Sequence, residues 1–372
     1  MQFRDLKQQY QVLRKEMDQA ILEAVSSSAY IMGPQVRELE KQLAEYVGVK
    51  HCLSCANGTD ALTLALKAWG IGPGDAVFVP DFTFFASAEV VALEGAIPVF
   101  VDVHEESFNL DADALVRAIK EVIAEGRLRP RVIVAVDLFG LPADYLAIRA
   151  VADKYGLLIL EDGAQGFGGS IGERRACSFG DIATTSFFPA KPVGCYGDGG
   201  AVFTDNDEWA ALIDSFRVHG KGEFKYDNVR IGMNSRLDTV QAAVLQVKLK
   251  AFSDYELDSV NKAAAYYTER LKGHATPVIP EGFRSSWAQY TVRFAGRAQR
   301  DTVQAALKAE GIPSMVYYPK PMHLQTAFAD LPTRSCPVAT SLCERVLSLP
   351  MHPYLTEEQI DTVCTVILDA LK

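Results

Sequence analysis

One lysine stands in an unusually stiff segment of the chain, residues 186–200, whose sequence is SFFPAKPVGCYGDGG. Lys191 lies between two prolines, is followed by four glycines, and has apolar and aromatic flanks. Proline restricts the backbone, and a lysine held away from water loses proton affinity, which favours the reactive neutral amine. The segment therefore predicts a nucleophilic lysine, with a structural lysine at a domain boundary as the alternative.

Two loops that follow predicted strands could hold a flat, anionic ligand. Gly58 and Thr59 open a predicted helix, where free N–H groups and a hydroxyl suit a phosphate; simple N-capping is the alternative. Residues 80–85 (PDFTFF) crowd three aromatic side chains into one turn. One of these rings could face a ligand, and core packing is the alternative.

A carboxylate completes this set of residues. Asp162 ends the apolar run LLILED and is followed three residues later by Gln165. A carboxylate at the end of a buried strand needs a cationic or hydrogen-bonding partner. An aromatic plate, a phosphate-binding helix start, an acid for a ring nitrogen and a constrained lysine are the parts of a pyridoxal phosphate site, so together they favour that cofactor.

The elements that would position these residues alternate between short β-rich runs and helical patterns. Two amphipathic helices are predicted first, at 6–25 and 35–47, and strands follow at 51–55, 76–80, 97–102, 132–137 and 157–162 with helices between them. The alternation predicts an α/β fold with a large parallel or mixed sheet. After Asp162 two strands, 182–187 and 201–204, are separated by the lysine segment and could pair directly.

The remainder of the chain predicts a second, smaller unit. A long helical stretch covers 237–272, and beyond it come a strand at 287–294 and helices at 300–310, 337–346 and 356–371. We expect a large α/β domain over residues 1–250 and a smaller α+β domain over 251–372. The length of 372 residues fits this division.

Composition narrows the class of protein. The chain is 49% hydrophobic and 23% charged, and its formal net charge is −10. These values are typical of an ordinary globular protein and argue against a broad nucleic-acid or anionic-membrane surface. No run approaches the ~20 apolar residues of a membrane span, and the first twenty residues lack a signal core, so we expect a cytoplasmic protein.

Seven cysteines are scattered along the chain. Their odd number and wide spacing predict no disulfide framework and suit a reducing compartment. Cys52 and Cys55 form a lone CxxC without a second pair or suitably spaced histidines. We interpret them as small buried residues, and no metal site is predicted.

The motifs together resemble the DegT/StrS family of pyridoxal-phosphate-dependent sugar-nucleotide aminotransferases along nearly the whole chain, which implies fold type I. Within the family the chain looks most like the WbpE-type branch, which aminates a UDP-linked 3-keto sugar acid. The motifs that carry the resemblance are YIMGP (30–34), SCANGTDAL (54–62), EDGAQGFG (161–168), SFFPAKPVGCYGDGGA (186–201), RVHG (217–220), GMNSRLDTVQAA (232–243) and YPKPMHLQ (318–325).

The resemblance implies a role for each residue of the cofactor site. Lys191 would form the Schiff base with the cofactor, Asp162 would keep the pyridine nitrogen protonated, Gln165 would bond the ring hydroxyl, and Phe84 would stack on the ring. A further set would bind the cofactor phosphate: Gly58, Thr59 and Ser186 from one subunit, and Asn234 from the neighbouring subunit of an obligate homodimer.

The resemblance also implies a sugar-nucleotide pocket near Arg236, Tyr318 and His323, with L-glutamate as the amino donor. Tyr317 departs from the histidine that several relatives carry before the Tyr-Pro pair, so a neutral phenol replaces a possible cation. Recognition of a sugar carboxylate is therefore open, as is a 4-keto or 6-deoxy acceptor. Two other classes are weighed against this one: a dinucleotide-binding oxidoreductase, which lacks its GxGxxG motif here, and a regulatory protein.

Overall fold

The structure, a computed structural model, describes residues 1–224, 226–332 and 334–372. The helices of these residues are α1 (Leu6–Ser26), α2 (Pro34–Val47), α3 (Gly58–Ala68), α4 (Ala86–Leu93), α5 (Ala112–Glu125), α6 (Tyr145–Tyr155), α7 (Asp207–Phe216), α8 (Thr239–Ala251), α9 (Leu257–Arg270), α10 (Arg297–Ala309), α11 (Pro337–Arg345) and α12 (Glu357–Ala370). Short 3-10 turns cover Leu138–Gly140, Met322–Leu324 and Thr326–Phe328, and a π-helical segment covers Phe252–Glu256.

The strands are mostly short. They are β1 (His51–Cys55), β2 (Asp75–Pro80), β3 (Ile97–Val101), β4 (Arg129–Val136), β5 (Leu158–Asp162), β6 (Ser170–Ile171), β7 (Arg174–Arg175), β8 (Ile182–Ser186), β9 (Gly200–Thr204), β10 (Phe283–Arg284), β11 (Tyr290–Arg293) and β12 (Val346–Leu349).

A seven-stranded sheet forms the centre of the larger part of the molecule, in the order β1-β9-β8-β5-β4-β2-β3. All its pairings are parallel except those of β9, which runs antiparallel to both of its neighbours, β1 and β8. The predicted mixed α/β sheet is confirmed. The direct pairing of the two strands that flank the lysine segment is confirmed as well, because β8 and β9 exchange hydrogen bonds from Ala183 to Ser186.

The helices around this sheet begin where the sequence provides side-chain caps. Asn57 accepts a hydrogen bond from the Asp60 N–H at the start of α3, and Asp111 accepts from two N–H groups at the start of α5. Gly126 ends α5 in a left-handed conformation, with φ of 65°, that glycine adopts readily. These caps satisfy groups that a helix end leaves unpaired, which fixes where each helix meets the sheet edge.

The later part of the chain builds a second layer on a two-stranded antiparallel sheet of β11 and β12. Its side chains share one hydrophobic cluster with α1 and α2, as shown by buried Met17, Leu39, Tyr290 and Val363. The long helix predicted over 237–272 is confirmed as a continuous stretch of α8, the π-helical segment and α9. The domain boundary expected at residue 250 falls inside this stretch and stays a prediction.

Two further observations concern the class of protein. In the parts of the chain that the structure describes, no helix combines the length and the apolar character needed to cross a bilayer. All seven cysteines are free and buried, which confirms the interpretation of Cys52 and Cys55 as core residues.

Candidate active site

The carboxyl ends of the parallel strands meet at one edge of the large sheet. At this edge β5 ends at Asp162, β8 ends at Ser186, and β1 leads into Asn57 and the start of α3. Ligands of open α/β sheets bind at this edge, because loops from several strands converge there. Residues that lie more than a hundred positions apart in the sequence are thereby brought together.

The start of α3 lies directly against Ser186. A Cβ atom added at Gly58 would lie 2.7 Å from the Ser186 Cβ, so only glycine permits this approach. The N–H groups of Gly58 and Thr59 have no acceptor within the helix, because they belong to its first turn. Together with the Ser186 hydroxyl they form a concave, positively polarised cradle, and the predicted phosphate-binding residues are therefore brought together.

Asp162 is buried at the end of β5, and it has the partner that its position requires. The Ser87 hydroxyl donates a 2.7 Å hydrogen bond to Oδ2, and the Ala164 N–H donates a 3.2 Å hydrogen bond to Oδ1. Burial raises the pKa of Asp162, and these two hydrogen bonds and the positive charge of Lys191 oppose that rise. The carboxylate is thus oriented and close to a cation.

Lys191 lies in the turn after β8, and its N–H donates a 2.8 Å hydrogen bond to the Phe188 carbonyl. Loss of hydration lowers the pKa of its amine, the charge of Asp162 raises it, and the charge of Arg4 lowers it further. Among the residues that the structure describes, none accepts a hydrogen bond or forms an ion pair with this amine. The amine of Lys191, the predicted nucleophile, is therefore close to a carboxylate but forms no hydrogen bond or ion pair with the described residues.

Aromatic side chains border this cluster. Of the three phenylalanines in residues 80–85, Phe82 is buried, whereas Phe84 is 54% exposed and is the ring available to a ligand. The Tyr318 ring lies 6.0 Å from the Phe82 ring and 6.3 Å from the Phe84 ring, between ring centroids. Phe84 is thus the exposed ring of this turn, and its stacking on the cofactor stays a prediction.

The side chain of Gln165 links the backbone of the turn Leu138–Gly140 to Tyr318. Its Oε1 accepts a 2.7 Å hydrogen bond from the Phe139 N–H, and its Nε2 donates a 3.0 Å hydrogen bond to the Tyr318 hydroxyl. An amide nitrogen carries two hydrogens, so one donor of Gln165 remains for a ligand. Burial raises the pKa of Tyr318, which keeps this phenol protonated.

His323 contacts a buried aspartate, Asp81, through both its backbone and its ring. The backbone N–H of His323 donates a 2.8 Å hydrogen bond to Asp81 Oδ1, and the ring Nδ1 lies 2.6 Å from Asp81 Oδ2. The sulfur of Cys336 completes a group whose potential metal-ligand atoms lie within 4.8 Å of one another, a group that the sequence pattern did not reveal. Because both carboxylate oxygens already bond His323, the contact acts first as a link between the end of β2 and the segment 318–325.

The remaining predicted residues are Asn234, Arg236 and Tyr317. Asn234 is exposed, and Arg236 borders a groove lined by His219 and Ile231. No hydrogen bond or ion pair among the described residues joins either side chain to Lys191 or Asp162. Tyr317 is half-buried, and its ring lies 6.2 Å from that of Phe3 in an edge-on arrangement.

The cluster fits pyridoxal phosphate. The cradle at Gly58 would be filled by any larger side chain, the N–H groups there suit a phosphate, and a buried carboxylate suits a protonated ring nitrogen. The amine of Lys191, whose pKa is lowered and which has no hydrogen-bond partner among the described residues, suits attack on an aldehyde. Donors, acid and nucleophile are thus all supplied at one edge of the sheet.

The profile of the DegT/DnrJ/EryC1/StrS aminotransferase family matches residues 11–368. The chain belongs to this family. It is 46% identical over 369 residues to the UDP-2-acetamido-2-deoxy-3-oxo-D-glucuronate aminotransferase of Pseudomonas aeruginosa, with 99% of each chain covered. It is 43% identical over 365 residues to a UDP-N-acetyl-3-dehydro-alpha-D-glucosamine 3-aminotransferase of Acidithiobacillus ferrooxidans, with 98% of this chain and 96% of the relative covered.

Solved structures agree with this family assignment. A DegT/DnrJ/EryC1/StrS aminotransferase from Brucella abortus shares 52% identity with the chain, covers 99% of both chains and superposes with a TM-score of 0.96. The NtdA protein of Bacillus subtilis, solved with the bound cofactor PMP, is 27% identical, with 96% of this chain and 82% of that chain covered and a TM-score of 0.87.

The protein is therefore a pyridoxal-phosphate-dependent sugar-nucleotide aminotransferase with the type I fold, as predicted from its motifs. The oxidoreductase and regulatory alternatives give way to this assignment. Sequence reasoning missed Ser87, the partner of Asp162, and Asp81, the partner of His323. Ser87 lies in none of the motifs described above, and Asp81 lies in PDFTFF, where only the aromatic side chains were considered. The burial expected for Asp162 did signal that some partner must exist.

Proposed function

We propose that the protein transfers the amino group of L-glutamate to a UDP-linked 2-acetamido sugar that carries a ketone at C3, a step towards an amino sugar of a cell-surface polysaccharide. The observation that carries the proposal is the amine of Lys191, which is close to buried Asp162 and forms no hydrogen bond or ion pair with the described residues. The two relatives named above support the choice of acceptor, because both names specify a UDP-linked sugar with an oxo or dehydro group at C3.

Pyridoxal phosphate, when bound, supplies an electron sink for the bond that is broken at the amino-bearing carbon. Asp162 would hold a proton on the ring nitrogen, and its hydrogen bonds from Ser87 and Ala164 orient it for this purpose. Lys191 would take the proton from the amino-bearing carbon of glutamate and return a proton to the sugar carbon. Burial lowers the pKa of this amine, which favours the neutral form that can accept a proton.

The start of α3 would hold the cofactor phosphate through the N–H groups of Gly58 and Thr59 and the hydroxyl of Ser186. Gln165 would donate its free N–H to the ring hydroxyl while Tyr318 keeps the amide in place. Phe84 would cover one face of the ring, because it is the exposed ring of its turn. These contacts fix the ring relative to Lys191 and keep its reaction in one orientation.

The sugar nucleotide would lie between Tyr317, Tyr318 and Arg236, and His323 would support the pocket through its bond to Asp81. Arg236 offers a planar fork for a carboxylate or diphosphate. Tyr317 is a neutral phenol, so Arg236 would be the main counter-charge for an acidic sugar.

The active enzyme would be a homodimer with shared sites, in which Asn234 of the partner subunit reaches the cofactor phosphate and Arg236 of the partner subunit borders the sugar. Exposed apolar side chains near these residues support this arrangement, since Phe224 is 71% and Ile231 is 90% exposed in the single chain. We place the enzyme in the cytoplasm, where glutamate and nucleotide sugars are available. Neither nucleic acid nor membrane is a proposed partner.

The test is turnover with matched acceptors. The holoenzyme is incubated with glutamate and UDP-linked 2-acetamido sugars that carry a ketone at C3 or at C4, with 6-deoxy analogues included, and the products are weighed. We expect amination of the 3-keto sugars and no amination by Lys191→Ala. Preference for a 4-keto or 6-deoxy acceptor would overturn the proposed substrate.

A second measurement separates acidic from neutral acceptors. Arg236→Ala should reduce the specificity constant for a 3-keto sugar with a C6 carboxylate far more than for its neutral counterpart, if the natural acceptor is acidic. Equal losses would show instead that Arg236 binds the diphosphate that both acceptors share.

A further inference from the structure

The segment before α1 crosses beneath the turn that carries Lys191. The Phe3 carbonyl accepts a 3.1 Å hydrogen bond from the Met351 N–H, and the Asp5 side chain caps α1 through a 2.8 Å bond from the Gln8 N–H. Arg4 therefore lies between two fixed neighbours. The hydrogen bonds of Phe3 and Asp5 fix the backbone on either side of Arg4, independently of the contacts of the Arg4 side chain.

The guanidinium of Arg4 reaches the lysine turn from outside. Its Nη2 donates a 2.9 Å hydrogen bond to the Lys191 carbonyl and a 3.4 Å hydrogen bond to the Pro192 carbonyl. Inside the turn the Lys191 N–H bonds the Phe188 carbonyl at 2.8 Å. The peptide units on both sides of the lysine Cα are thus held, one by the turn itself and the other by Arg4.

The prolines of the segment explain why an outside donor is needed. Pro189 and Pro192 have no N–H, so the turn cannot form a regular ladder of hydrogen bonds with a neighbouring strand. Among the described residues, Arg4 is the only donor to the Lys191 carbonyl. A guanidinium supplies that donor and, through its planar fork, fixes the direction of the bond.

The charge of Arg4 is not neutralised by a direct ion pair within the described residues. Burial lowers its pKa to about 10, so it remains charged at neutral pH. Glu256, whose negative charge raises the pKa of Arg4, already accepts hydrogen bonds from Gln9 Nε2 at 2.9 and 3.1 Å. The charged and titratable groups that face Arg4 from the elements packed around it are Lys191, Lys248, Glu256, His352 and Tyr354.

We propose that Arg4 is a positioning residue for Lys191, which fixes the backbone from which the reactive amine projects and adds a positive charge that favours its neutral form. The proposal rests on the proposed role of Lys191 as the nucleophile. Two groups shape the field at the amine, Asp162 from β5 and Arg4 from the segment before α1. Their charges shift the pKa of the amine in opposite directions, and hydrogen bonds hold each of them in place.

The first test uses the protein without cofactor, so it does not depend on turnover. Labelling of Lys191 by an amine-reactive anhydride is followed across pH by peptide mapping, which gives the apparent pKa of this one amine. Arg4→Met should raise that pKa, because it removes a neighbouring positive charge, and Arg4→Lys should leave it close to the wild-type value. Arg14→Met is the matched control, since Arg14 is exposed on α1 and pairs only with Asp18 among the described residues.

The second test adds pyridoxal phosphate and follows the visible absorbance of the lysine-bound cofactor. Arg4→Met should slow its appearance about tenfold, the factor expected for one hydrogen bond from a charged group. Arg4→Lys should show a smaller but measurable slowing, because an ammonium cannot reproduce the fork. Arg14→Met should match wild type.

The outcomes separate this proposal from the proposed function. If reduction with borohydride places the cofactor on Lys191, but Arg4→Met changes neither the labelling pKa nor the absorbance rate, Arg4 has no positioning role. If the cofactor is found on another lysine, the proposed function fails, whatever Arg4 does. Should Arg4→Met fail to fold, Arg4→Gln replaces it, because Gln keeps a donor and removes the charge; an unchanged labelling pKa in Arg4→Gln would overturn the proposal.

Discussion

The hydroxyl of Ser87 donates a 2.7 Å hydrogen bond to Oδ2 of Asp162, across 75 residues of sequence. Ser87 is itself buried in the first turn of α4, where the Thr83 hydroxyl lies 3.2 Å from its oxygen. A buried carboxylate stays ionised only when donors and cations compensate for lost hydration. At Asp162 the hydrogen bonds from Ser87 and Ala164 and the charge of Lys191 provide that compensation.

Ser87→Ala should therefore weaken the acid without removing it. The hydrogen bond lowers the pKa of Asp162, so its loss should raise that pKa and move the acidic limb of the rate–pH profile to higher pH. We expect turnover at neutral pH to fall about tenfold, as for loss of one hydrogen bond to a charged group. Thr83→Val is the control, because it removes a nearby hydroxyl that does not contact Asp162. Coincident pH profiles for all three proteins would contradict the assignment.

Asp162→Asn should have a larger effect than Ser87→Ala, because an amide of the same size cannot hold a proton on the ring nitrogen. We expect loss of at least about a hundredfold in turnover, within the range for a group that controls proton position. Thermal unfolding should remain cooperative, since the Asn Oδ1 can still accept from the Ala164 N–H while its Nδ2 donates to the Ser87 oxygen. Near-wild-type turnover in a folded variant would show that the acid is structural.

The sequence predicted the strands of the large sheet well because each is a short apolar run between turn residues. The order of the strands within the sheet did not follow from these runs, because β1 lies at one edge of the sheet and pairs with β9, which is distant in the sequence. The two-residue strands β6, β7 and β10 were missed because two residues carry no periodicity. Pattern reasoning thus found the strands of the large sheet but neither their order nor the short strands outside it.

The residues of the candidate site likewise fall into two groups, those that the sequence revealed and those that it did not. Lys191, Asp162 and Gly58 were found because their chemistry is unusual for their local sequence, as with a lysine between prolines. Ser87 and Arg4 were missed because nothing in their neighbourhoods is unusual, and their roles depend on contacts with residues 75 and 187 positions away. Such partners become visible only when the fold brings them together.

Gly58→Ala should damage the phosphate cradle. The new Cβ would lie 2.7 Å from the Ser186 Cβ, so α3 and β8 must separate. We expect the affinity for pyridoxal phosphate to fall at least about tenfold, measured by titration of the protein without cofactor. Gly72→Ala is the control, because its Cβ would lie at an ordinary 3.7 Å from the Glu94 carbonyl oxygen. Equal affinities in the two variants would show that the cradle does not hold the phosphate.

His352 predicts a pH dependence of stability. Burial lowers its pKa from 6.5 to about 4, an effect that the charge of Asp5 opposes. Between these values the unfolded chain binds a proton that the folded chain does not. The free energy of unfolding should therefore fall as the pH is lowered through this window, by up to about 3 kcal/mol, and should show no contribution from His352 above pH 6.5.

His352→Gln, which is neutral in both states, should lose this component. Urea unfolding of the two proteins at a series of pH values gives the difference directly, and the other titrating groups cancel. We expect the two curves of stability against pH to converge as the pH falls from 6.5 towards 4. Parallel curves would mean that His352 titrates normally in the folded protein.

The proposed shared site predicts complementation between two inactive chains. Lys191→Ala lacks the nucleophile, and Asn234→Asp would place a negative charge against the phosphate of the neighbouring subunit's site. In a mixed dimer one site would combine Lys191 of one chain with Asn234 of the other, and would be intact. Random exchange should recover about a quarter of wild-type activity, because about half of the dimers are hybrids with one working site.

A mixture of Lys191→Ala with Asp162→Asn is the matched control for this complementation. Both residues lie at the same edge of one chain's sheet, so every site in the hybrid lacks one of them. We expect no recovery beyond the residual activity of the separate proteins. Exchange of subunits is demonstrated in both mixtures by mass spectrometry of differently tagged chains. If the Asn234→Asp mixture exchanges fully and stays inactive, Asn234 acts within its own chain and the shared site is wrong.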